Sequence, residues 1–243
     1  MTPRANPTRP RPQPSPGCRS VREHAVQSRT TASWRQRASR TWIDYLAGNL
    51  FEEANRHIGT ELNLEEYVRV RNKSIGVRPD FDMRETNGRY EVPPLAWYSS
   101  HLERMRTCTV EHVIFVNDVC SLEKDEARDD VNLVRLIQQR DNCSRSAAIA
   151  QAAAAADERM REFQLLERGV PHLCKQLGLD DVAHTAVLRH VDSMIDMLSG
   201  NYHWSRTCGR YSPKAAAHLG PDRPGLLALY APSTLQPEHV IAD

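Results

Sequence analysis

The sequence predicts an all-α protein, and three observations carry that prediction. Apolar residues recur at spacings of three and four along most of the chain after residue 34, which is the period of an amphipathic helix. An alanine-rich run occupies residues 147–156, and alanine has the highest intrinsic helix propensity. The strict alternation of apolar and polar residues that is typical of half-buried strands is essentially absent.

The first two predicted helices cover residues 34–57 and 64–74. In the first, Trp42, Tyr45, Leu46 and Leu50 recur at helical spacing. The second stops before Gly76, a residue type that suits a helix end. The pyrrolidine ring of Pro79 is expected to prevent a new helix from starting until after it.

The middle of the chain is predicted to contain one long helix with flanking turns. The pair Asn87-Gly88 indicates a turn, and Pro93-Pro94 opens the next region. Helical periodicity then runs over residues 95–125, with an interruption expected near residues 106–109.

Three further helices follow in the second half. Residues 131–139 form a short apolar-periodic segment. Ser144 is a suitable N-cap for the alanine-rich helix, which is expected to run to Arg168, with a separate segment beginning at Pro171. The last predicted helix covers residues 180–205.

Composition divides the chain into three parts. Residues 1–32 form a Pro- and Arg-rich segment that is predicted to be disordered, because it contains too little apolar surface to offset the entropy of ordering. It lacks the apolar stretch of a secretory signal, although an Arg- and Ser-rich start also resembles an organellar presequence. Residues 33–211 are predicted to be the α-helical domain, and residues 212–243 a loose C-terminal tail.

Charge and cysteine usage exclude several function classes. The chain has 32 basic and 31 acidic residues, so no overall field would attract nucleic acid or an anionic membrane. Its six cysteines show no C-x-x-C spacing, which indicates reduced thiols of a cytoplasmic protein. The histidines show no zinc-hydrolase pattern. No apolar stretch approaches 18 residues, so no membrane span is predicted.

The most informative stretch of the chain is a polar stripe near residue 120. Asn117, Ser121 and Asp125 sit four residues apart, so a helix places all three on one face. An amide, a hydroxyl and a carboxylate are oxygen ligands of the kind that Mg²⁺ accepts. The apolar run at residues 113–116 leads directly into this stripe, which therefore predicts a metal site where a buried helix reaches a cavity.

This stripe resembles the second metal-binding motif of the class I terpene synthases, N-D-x-x-S-x-x-x-E. Asn117, Ser121 and Lys124 match the motif, which often has a lysine before the final acid. Asp125 stands at the glutamate position and is one methylene shorter. Glu126 is the alternative third ligand, although it lies about 100° further around a helix.

Two other segments resemble motifs of the same family. Residues 200–211 resemble its closing signature, W-S-x-x-T-x-R-Y, which implies that Arg210 and Tyr211 bind the substrate diphosphate. Residues 64–76 resemble E-E-Y-x-x-x-R-x-x-S-x-G, which implies that Arg71 senses the diphosphate at a helix break. By the same correspondence Ser74 is the linker, and the carbonyl of Ile75 faces the substrate.

The resemblance covers residues 34–211 and implies a helical bundle of the class I terpene synthase type. The aspartate-rich motif of the family, D-D-x-x-D, does not occur in these 243 residues, so the bundle is expected to be incomplete. The resemblance implies a bacterial-type sesquiterpene cyclase that uses Mg²⁺ and a linear isoprenyl diphosphate, with farnesyl diphosphate as the expected substrate.

The resemblance assigns catalytic, diphosphate-binding or metal-binding roles to seven residues. The catalytic residues are Arg71, Arg210 and Tyr211; the diphosphate is bound by Arg71, Lys124, Arg210 and Tyr211; and the metal ligands are Asn117, Ser121 and Asp125. An alternative function is open at this point, namely a truncated and inactive remnant that binds diphosphate only weakly. A homodimer is left open as well.

Overall fold

The computed structural model describes residues 30–209, and these residues form α-helices with no strand among them. The all-α prediction is therefore confirmed. No helix in this part of the chain is both long enough and apolar enough to cross a membrane. The helices are α1 Ala32–Ile58, α2 Leu64–Ser74, α3 Val77–Gly88, α4 Pro94–Trp97, α5 Ser100–Ala127, α6 Leu133–Asp141, α7 Arg145–Gln176 and α8 Asp181–Thr207. The predicted N-terminal segment and C-terminal tail lie almost entirely outside the described residues.

Side-chain caps set the start of several helices where the sequence predicts them. Asn63 accepts a hydrogen bond from the backbone N–H of Glu66, whose carboxylate accepts from the Asn63 N–H, a reciprocal capping box that begins α2. Ser144 caps α7 as predicted. Asp180 caps α8 in the same way.

The prediction that Pro79 prevents helix formation is wrong. Helix α3 begins at Val77, directly after Gly76, which has a φ of 85°. Pro79 is the third residue of the helix, and backbone N–H groups in the first turn have no partner within the helix. The missing N–H of proline therefore costs no hydrogen bond there. The turn expected at Asn87-Gly88 comes one residue later, at Arg89.

The long helix is interrupted at a different place from the one expected. Helix α5 is continuous through residues 106–109, and the break lies at Tyr98 and Ser99. Ser99 accepts a hydrogen bond from the N–H of Leu102 and so caps the new helix. The Thr109 hydroxyl bonds to the carbonyl of Met105, one turn earlier, and does not interrupt the helix.

The prediction that Pro171 begins a new segment is also wrong, because this residue lies inside α7. An interior proline removes one hydrogen bond of the helix. On either side of it, however, Val170 and Cys174 are buried in the core. The ring of His101 also makes a 2.7 Å hydrogen bond with the carbonyl of Leu166. Tertiary packing therefore keeps the helix continuous past the proline.

Helix α5 is the centre of the fold and packs against α7, α8 and α2. Its buried residues and those of the helices around it form one hydrophobic core. The largest fully buried apolar side chains are Phe81, Leu102, Met105, Ile114, Phe163 and Met194. The shorter helices α2 and α6 pack together and against α5, and their ends bring polar groups to its C-terminal half.

One face of α1 is apolar and open to solvent. Five large side chains within ten residues are 38% to 65% exposed: Trp42, Ile43, Leu46, Leu50 and Phe51. The opposite side of α1 packs against α2 and α3. We call these five side chains the exposed face of α1.

Candidate metal centre

The predicted metal ligands lie together on the C-terminal half of α5. Asn117, Ser121 and Asp125 are spaced four residues apart on that one helix, as the sequence predicts. Asn117 is partly exposed, whereas Ser121 and Asp125 are 1% and 8% exposed. The Ser121 hydroxyl donates a 2.5 Å hydrogen bond to Oδ2 of Asp125, so the two side chains hold each other in position.

The carboxylate of Asp125 has a different partner on each oxygen. Its Oδ1 lies 2.9 Å from the Lys124 ammonium, while Oδ2 accepts from Ser121 and from the amide of Asn132 at 2.9 Å. Glu126, the alternative third ligand, points elsewhere and accepts hydrogen bonds from two guanidinium nitrogens of Arg145, Nε and Nη2. Asp125 is therefore the carboxylate that contacts Ser121, and its role as the third metal ligand stays a prediction.

Asn132 holds Asp125 from outside the motif. It is fully buried and caps α6, where its Oδ1 accepts a 2.9 Å hydrogen bond from the N–H of Val134. The cap requires the oxygen on that side, so the amide nitrogen must face α5. There it donates to the Asp118 carbonyl and to Oδ2 of Asp125. This arrangement leaves Oδ1 as the Asp125 oxygen beside Lys124.

Asp118 lies on the buried side of α5 next to Asn117 and is 1% exposed. Its Oδ2 accepts from the Tyr67 hydroxyl at 2.6 Å and from the N–H of Leu133 at 3.0 Å. Burial raises the pKa of Asp118, and the nearby positive charge of Arg71 opposes that shift. Asp118 thus ties α2 and the start of α6 to the helix that carries the predicted ligands.

Arg71 reaches from α2 to the first residue of the stripe. Its Nη2 lies 3.4 Å from Oδ1 of Asn117 and 3.7 Å from Oδ1 of Asp118, and its Nη1 lies 3.4 Å from Oε1 of Glu52. Burial by itself would lower the pKa of Arg71, but the negative groups around it outweigh that effect and raise the pKa. The guanidinium is therefore charged. Its Nε has no hydrogen-bond partner among residues 30–209.

The predicted helix break lies directly after Arg71. Helix α2 ends at Ser74, Ile75 is its C-cap, and Gly76 adopts a left-handed conformation that a side chain would strain. Ser74 is buried, and its hydroxyl donates to Oε1 of Glu52. The position of the break is confirmed, while the roles of Ser74 and Ile75 stay predictions.

Arg210 and Tyr211, the two residues predicted to complete the diphosphate site, lie outside the described residues. Helix α8, which leads towards them, ends at Thr207. Their role in binding the diphosphate therefore stays a prediction.

The donor set suits a hard divalent cation that also takes ligands from its substrate. Asn117, Ser121 and Asp125 supply an amide, a hydroxyl and a carboxylate oxygen, which matches the preference of Mg²⁺ for oxygen. A cationic group already lies against each end of the stripe, Arg71 at Asn117 and Lys124 at Asp125. Residues 30–209 contain no cluster of three or more His, Cys, Asp or Glu residues suited to a metal. Neutral oxygens must therefore contribute to any metal site on this stripe.

Four residues at the site were given no role by the sequence: Glu52, Tyr67, Asp118 and Asn132. Asp118 follows Asn117, and Tyr67 belongs to the matched upstream segment, so motif position could have identified both. Asn132 precedes an apolar helix and could have been identified as an N-cap. Glu52 has no sequence signal, because its contacts are to residues 19 and 22 positions away.

Comparison with known proteins gives a consistent result. Residues 4–162 match the family described as terpene synthase family 2, C-terminal metal binding. The chain is 34% identical over 198 residues to R-linalool synthase of Streptomyces clavuligerus, covering 81% of this chain and 57% of that protein. It is 31% identical over 202 residues to a (-)-beta-caryophyllene synthase of Saccharothrix espanaensis, described as (2E,6E)-farnesyl diphosphate cyclizing, covering 82% and 56% respectively.

The fold is similar to solved structures as well. The linalool/nerolidol synthase from Streptomyces clavuligerus, in complex with 2-fluorogeranyl diphosphate, superposes with a TM-score of 0.71 at 31% sequence identity. The match covers 77% of this chain and 64% of that one. The chain thus spans somewhat more than half the length of the curated relatives described above.

Proposed function

The chain belongs to the terpene synthase family, and from that membership we propose that it acts in the Mg²⁺-dependent ionisation and cyclisation of a linear isoprenyl diphosphate. Farnesyl diphosphate is the proposed substrate, and diphosphate is the leaving group. A relative described as cyclising farnesyl diphosphate supports this choice of substrate. The proposed enzyme class is a carbon–oxygen lyase that releases diphosphate.

The observation that carries the proposal is the contact between Arg71 and the row of predicted metal ligands on α5. The Arg71 guanidinium lies 3.4 Å from Oδ1 of Asn117, the first proposed metal ligand. A positive side chain that binds phosphate oxygens thus adjoins oxygens that bind a cation. This combination is what recognition of a metal–diphosphate complex requires.

In the proposed reaction, the bond between the allylic carbon and the diphosphate oxygen breaks. The electron pair leaves with the diphosphate, and the remaining allylic cation closes a ring by bonding to a double bond of its own chain. The cyclic cation then loses a proton to give a hydrocarbon, or takes up water and releases a proton to give an alcohol. Mg²⁺ held by Asn117, Ser121 and Asp125 would supply Lewis-acid neutralisation of the leaving group.

The side chains of this protein would bind and orient the leaving group. Arg71 is charged, and its buried Nε has no hydrogen-bond partner among residues 30–209, so the guanidinium keeps a donor that no described residue uses. Lys124 lies next to Asp125 and can add a second positive charge. Arg210 and Tyr211 are proposed as further donors on the strength of the family motif alone.

The test is product formation by the purified 243-residue chain with Mg²⁺ and farnesyl diphosphate, followed by gas chromatography and mass spectrometry. Asn117→Ala removes the leading proposed ligand and is expected to reduce turnover at least about a hundredfold, a loss equivalent to about 3 kcal/mol of transition-state stabilisation. Asn87→Ala, an exposed change on α3, is the control and should leave turnover unchanged.

Product analysis combined with a calorimetric binding measurement separates the proposal from its alternative. Calorimetric binding of Mg²⁺ and diphosphate without any cyclised product would support a diphosphate-binding protein that does not catalyse the reaction. Turnover that is unaffected by Asn117→Ala would refute the metal assignment.

A further inference from the structure

Glu52 contacts Arg71 and the helix break at the same time, and no motif assigns it a role. We propose that Glu52 is a positioning residue that holds Arg71 beside Asn117 and competes with the diphosphate for the guanidinium. This inference rests on the function proposed above, in which Arg71 binds diphosphate. It adds a residue of α1 to a site that the sequence places only on α2, α5 and the segment after α8.

One carboxylate oxygen of Glu52 serves two partners. Its Oε1 lies 3.4 Å from Nη1 of Arg71 and accepts a hydrogen bond from the Ser74 hydroxyl. The side chain of Glu52 is 25% exposed and that of Arg71 is 19% exposed, so the pair lies at an opening rather than in the core. Arg71 and Ser74 therefore share one acceptor atom, and a movement of Arg71 away from it leaves Ser74 as its partner.

Helix α1 lies directly against the helix break, which fixes Glu52 in place. A Cβ atom on Gly48 would lie 2.7 Å from Cβ of Lys73 and 3.1 Å from the backbone nitrogen of Ser74. The Asn49 amide contacts the Ser74 carbonyl at 3.4 Å. Gly48 and Glu52 are four residues apart, so they share the face of α1 that meets the break.

The charges around Arg71 explain why Glu52 is the partner that an anion displaces. Two carboxylates, those of Glu52 and Asp118, lie near the one guanidinium. Asp118 is buried and also bonded to Tyr67 and Leu133, whereas Glu52 is partly exposed. A diphosphate that enters the opening carries the same charge sign as Glu52 and needs the same donor, Arg71. Binding therefore exchanges the Glu52 carboxylate for a phosphate oxygen.

The test uses Glu52→Gln, which removes the charge and keeps the shape. Binding of inorganic diphosphate in the presence of Mg²⁺ is measured by calorimetry on the 243-residue chain. We expect the variant to bind about fivefold more tightly, because the diphosphate no longer competes with a carboxylate for Arg71. Asp44→Asn is the matched control: Asp44 pairs with Lys73 at 3.4 Å, so it also joins α1 to α2, but it does not contact Arg71. The affinity of the Asp44→Asn variant for diphosphate should change by less than about twofold.

A second pair of variants identifies the route of the effect. In an Arg71→Ala background, Glu52→Gln should change diphosphate affinity by less than about twofold, because the competition is for Arg71. A gain that persists in this background would show simple repulsion and overturn the proposal. Unchanged or weaker binding by the single variant would overturn it too.

A measurement without ligand keeps the inference separate from the proposed function. Amide hydrogen exchange at residues 72–76 should be faster in Glu52→Gln than in the unmodified chain, and unchanged in Asp44→Asn. Unchanged exchange in Glu52→Gln would refute the tie to the break, whatever the affinities are. Failure of the unmodified chain to bind diphosphate at all would instead overturn the proposed function, and the competition with it.

Discussion

The Tyr67 hydroxyl donates a 2.6 Å hydrogen bond to Oδ2 of Asp118, joining α2 to α5 within the core. Burial, together with the nearby negative charge of Asp118, raises the pKa of Tyr67 well above its ordinary value. The hydroxyl therefore keeps its proton and remains a donor. Because Asp118 follows Asn117 in the sequence, this bond fixes the helical turn on which the proposed metal ligands begin.

Tyr67→Phe should lower the free energy of unfolding by about 1 to 3 kcal/mol, because it leaves a buried carboxylate with one donor fewer. Urea denaturation of the two proteins measures the difference. Tyr98→Phe removes a hydroxyl from a side chain that is 65% exposed and should have little effect. Equal stabilities for Tyr67→Phe and the unmodified chain would show that the bond contributes nothing to folding.

Asn132→Ala should weaken binding of Mg²⁺ and diphosphate about tenfold or more, since residues that orient metal ligands typically have effects of this size. The reason is that Asp125 loses one of the two donors that hold its Oδ2, the other being Ser121. Asn63→Ala is the matched control, because it also removes the N-cap of a helix but has no contact with Asp125. A similar loss of affinity in both variants would mean that helix capping, and not the orientation of Asp125, is responsible.

Gly48→Ala should destabilise the protein by about 1 to 3 kcal/mol, the usual range for overpacking. The added methyl group would lie 2.7 Å from Cβ of Lys73 and 3.1 Å from the backbone nitrogen of Ser74. Gly200→Ala, in α8, meets no atom within 4 Å and should instead stabilise by up to about 1 kcal/mol through helix propensity. Thermal unfolding of both variants checks the opposite signs, and stabilisation by Gly48→Ala would show that the two helices can separate freely.

Asp82 should make the protein less stable as the pH rises from about 4 to 6. Burial raises the pKa of this carboxyl to about 6, against the opposing effect of Arg37. The folded protein therefore binds a proton that the unfolded chain releases, and the penalty is fully present above pH 6. Asp82→Asn should increase the free energy of unfolding at pH 7, by at most about 3 kcal/mol, and leave it nearly unchanged at pH 4.

The measurement is urea denaturation of both proteins at several pH values between 4 and 7. Arg37, Glu85 and Arg106 also act on Asp82, so the difference between the two proteins isolates its contribution. A difference that does not vary with pH would contradict the raised pKa.

Local signals predicted much of the fold from the sequence. The capping box at Asn63 and the cap at Ser144 depend on residues three apart in the chain, and both helices start where predicted. Pro79 and Pro171 misled the prediction for different reasons. The first lies where a helix needs no N–H donor, and the second lies where packing of α7 outweighs one missing bond.

The candidate site was predicted only in part, and chain separation explains the difference. Asn117, Ser121 and Asp125 belong to one helix, so their spacing alone places them on one face. Tyr67 and Asp118 are 51 residues apart, and Arg71 and Glu52 are 19 apart. Those contacts arise only when α1, α2 and α5 pack together, and no periodicity within a single segment contains them.

The exposed face of α1 has a consequence for the protein in solution. Trp42, Ile43, Leu46, Leu50 and Phe51 place apolar groups in contact with water along three turns of one helix. Apolar patches of this kind promote self-association, and salts that are excluded from protein surfaces, such as sulfate, strengthen it. Among residues 30–209, α1 is therefore the helix on which self-association is expected to begin, and sulfate is expected to increase that association.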